Sequence, residues 1–70
     1  MAVVKVIELV GTSNKSWQEA IENAVERAAK TIRDIQGVDV LGWTGKVKGD
    51  KIVEYRADVK ISFLVAKITG

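Results

Sequence analysis

Glu54 and Asp58 stand four residues apart with Arg56 between them. They lie in a stretch whose side chains alternate in polarity, so all three fall on one face of an extended strand. Two carboxylates are the raw material of general acid–base work, but with an arginine between them they read better as a charge ladder facing solvent or a symmetry-related copy. The chain has no His and no Cys. That removes triad chemistry, disulfides and structural zinc from consideration, and nothing else in the chain composes a catalytic constellation. A calcium-type cation needs only oxygen ligands; no calcium-loop pattern occurs, so such a site would have to be assembled across subunits. The glycines from Gly42 to Gly49 lack the spacing and the strand-to-helix context of a phosphate-binding loop. Arg56 is a fork of donors suited to carboxylate or phosphate, with an intersubunit ion pair to Asp39, Glu54 or Asp58 as the competing use. Trp17, at the first helical position, reads as a core or interface staple. Trp43 is placed to cover a neighbour's surface or to stack on a planar ligand.

The elements that must position these residues are legible from periodicity. From Ile52 to Val65 the odd-numbered residues Val53, Tyr55, Ala57, Val59, Ile61, Phe63 and Val65 are apolar, and Glu54, Arg56, Asp58, Lys60 and Ser62 between them are polar. This is the alternation of a half-buried strand, and at about 3.3 Å per residue it would reach roughly 46 Å, far beyond what one small domain needs. Val3 to Val10 predicts a first strand with apolar residues on both parities, hence covered on both faces, and Gly11 to Asn14 a turn. Ser16 followed by Glu19 is a capping box that opens a helix. Trp17, Ile21, Ala24, Val25, Ala28, Ile32 and Ile35 continue it at spacings of three and four for about five turns, with Gly37 as its left-handed cap. Val38 to Val47 is a second strand, which Gly42 and Gly45 interrupt with a bulge or a close backbone approach, and Lys48 to Lys51 turns it into the third. The fold expected is α+β, in the order β-α-β-β. A three-stranded antiparallel sheet has the long strand at its centre, and the helix lies across the odd-numbered face.

Seventy residues make one domain, spanning 1–70, and a core of that size rarely supplies more than about 3–5 kcal/mol. With no disulfide or zinc to supplement it, oligomerisation remains, and a hydrophobic fraction of 47% agrees with apolar surface held for an interface. The net charge is +2, with eleven Lys and Arg scattered among nine Asp and Glu. That argues against a nucleic-acid partner. No apolar run is long enough for a membrane span and no signal peptide is visible, so a soluble, cytoplasmic protein is the expectation.

In order and in detail the chain resembles the dodecin family. The resemblance is carried by Lys5-Val6-Ile7-Glu8-Leu9-Val10-Gly11-Thr12-Ser13, by Ser16-Trp17-Gln18-Glu19-Ala20, and by Glu54-Tyr55-Arg56 leading into Val59-Lys60-Ile61-Ser62-Phe63. It implies a sheet partly wrapped around one helix, assembly as a hollow homododecamer, and a role in binding and sequestering flavins such as riboflavin or FMN rather than in catalysis. The positions that would hold a flavin are altered. Where flavin-binding members carry a stacking Trp just after the helix, this chain has Gly37, in the run Gly37-Val38-Asp39-Val40. Arg56 replaces the Gln that would bond the polar edge of the ring, and Thr44 replaces an Arg before the glycine of strand two. These departures argue against flavin and bring the chain closer to the calcium-associated branch of the family. Trp43 shares the parity of Gly37 but lies roughly 20 Å along the strand, too far to serve the same pocket.

Overall fold

The computed structural model describes residues 2–67. Four elements follow one another: β1 (Ala2–Ser13), α1 (Trp17–Ala29), β2 (Ile35–Lys48) and β3 (Lys51–Lys67). The three strands form one antiparallel sheet in the order β1-β3-β2, with the long third strand central as the alternation requires. At about 3.3 Å per residue the 17 residues of β3 span roughly 56 Å. That strand sets the long dimension of the molecule, 59 Å.

The helix lies on the odd-numbered face of β3. Ala20, Ala24 and Ala28 on α1 meet Ala57, Val59 and Ile61 on β3, and these six make the buried apolar core. Ile7, Leu9, Ile21, Val25, Ile32, Ile35 and Val40 pack around it, half-buried. Small residues on the helix let its axis come close, and Gly11 on β1 completes the approach. A Cβ there would overlap the Ala20 carbonyl oxygen and stand 2.9 Å from the Ala24 Cβ. Ser16 caps the helix as its spacing predicts, its hydroxyl accepting from the Glu19 backbone N–H at 3.0 Å. The buried Ser13 hydroxyl accepts from the backbone N–H groups of Lys15 and Ser16 and so aims the chain into the cap.

Several boundaries differ from those the periodicity suggests. The helix ends at Ala29, short of Ile35, and Thr31 and Ile32 donate back to the Ala28 carbonyl in a tightened last turn. Asp34, not Gly37, takes the left-handed conformation, with φ 60°. Asp is among the residues that tolerate it, and the Asp34 carbonyl accepts from Leu64 N–H at 3.0 Å. Ile35 and Gly37 thereby enter β2, opposite Phe63 and Ser62. At the other end Gly11 to Ser13 extend β1 instead of turning, paired with Ala57, Arg56 and Tyr55. Nor are both faces of β1 covered: Ile7 and Leu9 pack against the core, whereas Val4, Val6 and Val10 stand exposed on the face away from the helix, where the described residues supply no second layer. Gly49, with φ 68°, supplies the first central residue of a two-residue hairpin loop between the paired Lys48 and Lys51. Among the described residues no helix is long and apolar enough to cross a membrane.

Replacing Gly11 by alanine forces a methyl into the helix backbone. The substitution is expected to destabilise the fold by about 1–3 kcal/mol, read as a lowered urea midpoint at fixed protein concentration. An unchanged midpoint would contradict the close approach.

Candidate functional site

Among the described residues the sheet face turned away from α1 carries no covering layer, and the strand register fixes which side chains share it. Three-strand rows run across it: Val6 beside Ser62 beside Gly37, then Glu8, Lys60 and Asp39, then Val10, Asp58 and Gly42, then Thr12, Arg56 and Thr44. Of the candidates read from the sequence, Gly37, Asp39, Thr44, Glu54, Arg56 and Asp58 all fall on this face. The structure brings Thr44 directly opposite Arg56 and Asp39 opposite Lys60.

Gly37 has no side chain to cover the sheet. A depression of about 260 Å³ opens there, lined by Val6, Gly37, Val38, Asp39, Lys60 and Ser62. The Ser62 hydroxyl donates to the Gly37 carbonyl across its floor, at 3.4 Å. One wall is apolar and the other carries an ammonium and a carboxylate, a lining that suits an amphipathic small molecule. Val6, Lys60 and Ser62 are members that the sequence reading did not single out for the site. The polar face of β3 had already placed Lys60 and Ser62 beside Arg56, but nothing in β1 alone signals that Val6 lies two strands from Gly37.

Arg56 is half exposed and pairs with Glu54 of its own chain, Nε to Oε1 at 3.6 Å. An exposed pair of this kind contributes about 0–1 kcal/mol, so the guanidinium remains available to an anion. Asp58 is different. It lies between Val10 and Gly42, and its Oδ1 is shut from solvent with no hydrogen-bond partner. An unmet buried acceptor costs free energy unless something outside the single chain supplies a donor or a cation. Among the described residues no three Asp or Glu converge as a metal ion would require.

Trp43 does not belong to this face. A bulge between Val40 and Gly42 shifts the register of β2, so Trp43 sits opposite Ala57 on the helix side, across the sheet from Gly37. The equal parity of the two positions is misleading for that reason. Trp43 joins an aromatic cluster instead: Trp17 meets it edge-on with ring centroids 6.0 Å apart, and meets Tyr55 edge-on at 4.7 Å. Trp17 Nε1 donates to the Thr44 carbonyl at 2.8 Å. Gly45 lies beneath the Trp17 ring, where a Cβ would make ordinary van der Waals contact at 3.7 Å. Trp17 is thus the staple its position suggests, fastening the helix start to the hairpin and holding the strand segment that carries Thr44.

The residues present do not fit a flavin held in the manner of flavin-binding relatives. At the three positions where the resemblance implies flavin contacts, Gly37 leaves a hollow, Arg56 presents a charged fork and Thr44 a hydroxyl.

Comparison with known proteins agrees with this architecture. The Dodecin family model matches residues 3–66. The calcium dodecin of Mycobacterium tuberculosis is 36% identical over 63 residues, covering 90% of this chain and 89% of that one. Its crystal structure, described as having a novel calcium-binding site, superposes with a TM-score of 0.81 at 32% identity, covering 97% of each chain. The tt0972 protein of Thermus thermophilus superposes with a TM-score of 0.92 at 31% identity, over 97% of this chain and the whole of that one. Fold, strand order and sequence together place the chain in the dodecin family.

Proposed function

We propose that the chain acts as a dodecin-type binding and storage module, not an enzyme. Twelve copies form a hollow shell, and the open sheet face holds a small molecule other than flavin. The observation that carries this reading is the depression over Gly37, on a face that none of the described residues covers and on which Arg56 also stands. Membership of the dodecin family supports the shell, as does the smallness of the core, in which Val59 and Ile61 are the largest fully buried side chains. The ligand class suggested by Lys60 and Arg56 is a small anionic or planar molecule.

Without its aromatic neighbour a flavin loses stacking of about 1 kcal/mol per face. Riboflavin and FMN titrated with a several-fold excess of protein should therefore keep most of their fluorescence. The variant Gly37→Trp restores an indole where a Cβ meets nothing nearer than the Ser62 hydroxyl at 3.4 Å. It should raise flavin affinity about fivefold or more. Strong quenching by the unmodified protein at equimolar ratio would reject the non-flavin reading.

A second reading is favoured by the orphaned Asp58 Oδ1 and by the calcium dodecin relative. In it the charged face serves assembly and takes a calcium ion between subunits. Calcium should then raise the melting temperature above its value in EDTA, and Asp58→Asn should abolish the difference while raising stability in EDTA. Identical melting in calcium and EDTA would remove this reading.

A further inference from the structure

Between β1 and α1, on the helix side of the sheet, two depressions adjoin. β1 is an edge strand, paired with β3 alone, so the groove between it and the helix is open along its outer side. The first depression, of about 360 Å³, is apolar: Ile7, Leu9, Ala28 and Ile32 line it, with the Thr31 hydroxyl as its one neutral polar side chain. The second, of about 240 Å³, brings Thr12 and Asn23 beside the small residues Gly11 and Ala24. Leu9 and Arg27 line both and mark the junction.

The two chambers differ in chemistry, and the difference orients a guest. Asn23 Nδ2 donates to the Thr12 carbonyl at 3.0 Å, which ties helix to strand in the polar chamber, and a primary amide carries a second N–H donor besides. Arg27 is exposed in the last turn of α1, where the helix dipole favours a cation. Among the described residues no ion pair engages it, and no carboxylate lines either chamber. The groove therefore sets one full positive charge at the mouth of an apolar trough. An alkyl chain lying over Leu9 toward Ile7 and Ile32 gains from leaving water. A single anionic head matches the single guanidinium, whose planar fork meets a carboxylate through two parallel donors. A dianion would leave one charge unmet against apolar walls, and a cationic head would be repelled by Arg27.

From this juxtaposition we infer that the groove between α1 and β1 binds an amphipathic monocarboxylate of the fatty-acid class. Its carboxylate rests on Arg27 with Asn23 beside it, and its chain runs along Leu9 to Ile7 and Ile32. From Thr12 to Ile7 the groove extends roughly 17 Å at about 3.3 Å per residue, enough to seat a medium-length chain. This site is separate from the hollow over Gly37, which lies on the other face of the sheet, and it stands whatever occupies that hollow.

Titration calorimetry of the purified protein with hexanoate, octanoate and decanoate tests the assignment, at two temperatures so that binding with little heat at one is seen at the other. Affinity should rise about threefold per added methylene. Arg27→Gln should weaken decanoate about tenfold or more and leave decanol unchanged, with circular dichroism and melting reporting an intact fold. Arg27→Lys should fall between the two. Decanol as tight as decanoate, with Arg27→Gln silent, would overturn the site, because apolar surface alone is then at work. Decyl phosphate as tight as decanoate would overturn the carboxylate head. A loss with Lys60→Gln in place of Arg27→Gln also overturns the groove, since the ligand then lies over Gly37. Absence of heat with all three acids, as when a neighbouring copy fills the groove, overturns it as well and leaves the reading of the hollow to its own test.

Discussion

Everything in this molecule depends on how closely α1 can lie against the sheet. Ala20, Ala24 and Ala28 recur every four residues, and they bring the helix backbone down onto Ala57, Val59, Ile61 and the bare backbone of Gly11. A seam of small residues gains dispersion contact from proximity, not from bulk, and it consumes little apolar area. The consequence is a thin two-layer body in which the helix covers the middle of one sheet face and, among the described residues, leaves the other without a layer. The exposed valines of β1 and the charged rows of β3 are two halves of that untouched face.

That division places the chemistry. Because the helix claims Ala57, Val59 and Ile61, the even-numbered residues from Glu54 to Ser62 are left on a surface that no other described element covers. Gly37 turns part of that surface into a hollow, and the Arg56–Thr44 row sets a cation two rows away from the Lys60–Asp39 row. A sheet with large side chains at these positions would be smoother and less able to hold a guest. The same face carries the cost of the arrangement, the unpartnered Asp58 oxygen, which only a donor or cation from outside the single chain would relieve.

Much of this was legible in the amino-acid order. The alternation along β3 fixes the face of each residue from Glu54 to Phe63, and Ser16 with Glu19 marks the helix start to the residue. What failed to show has specific causes. Ile32 and Ile35 continue the helical spacing, so no local signal ends α1 at Ala29; the end is imposed by pairing of Ile35 with Phe63 and by the turn at Asp34. Equal parity with Gly37 misplaces Trp43, because counting by twos cannot see the extra residue of a bulge. The rows that assemble the hollow join residues more than 20 positions apart, and register of that kind is settled by the folded sheet.

A native mass spectrum of the unheated protein tests the central claim most directly, since it reports subunit count and retained ligand together. The account predicts a single species of twelve chains of 7.6 kDa without the mass of a flavin. A single-chain mass, or a shell retaining flavin, would contradict it.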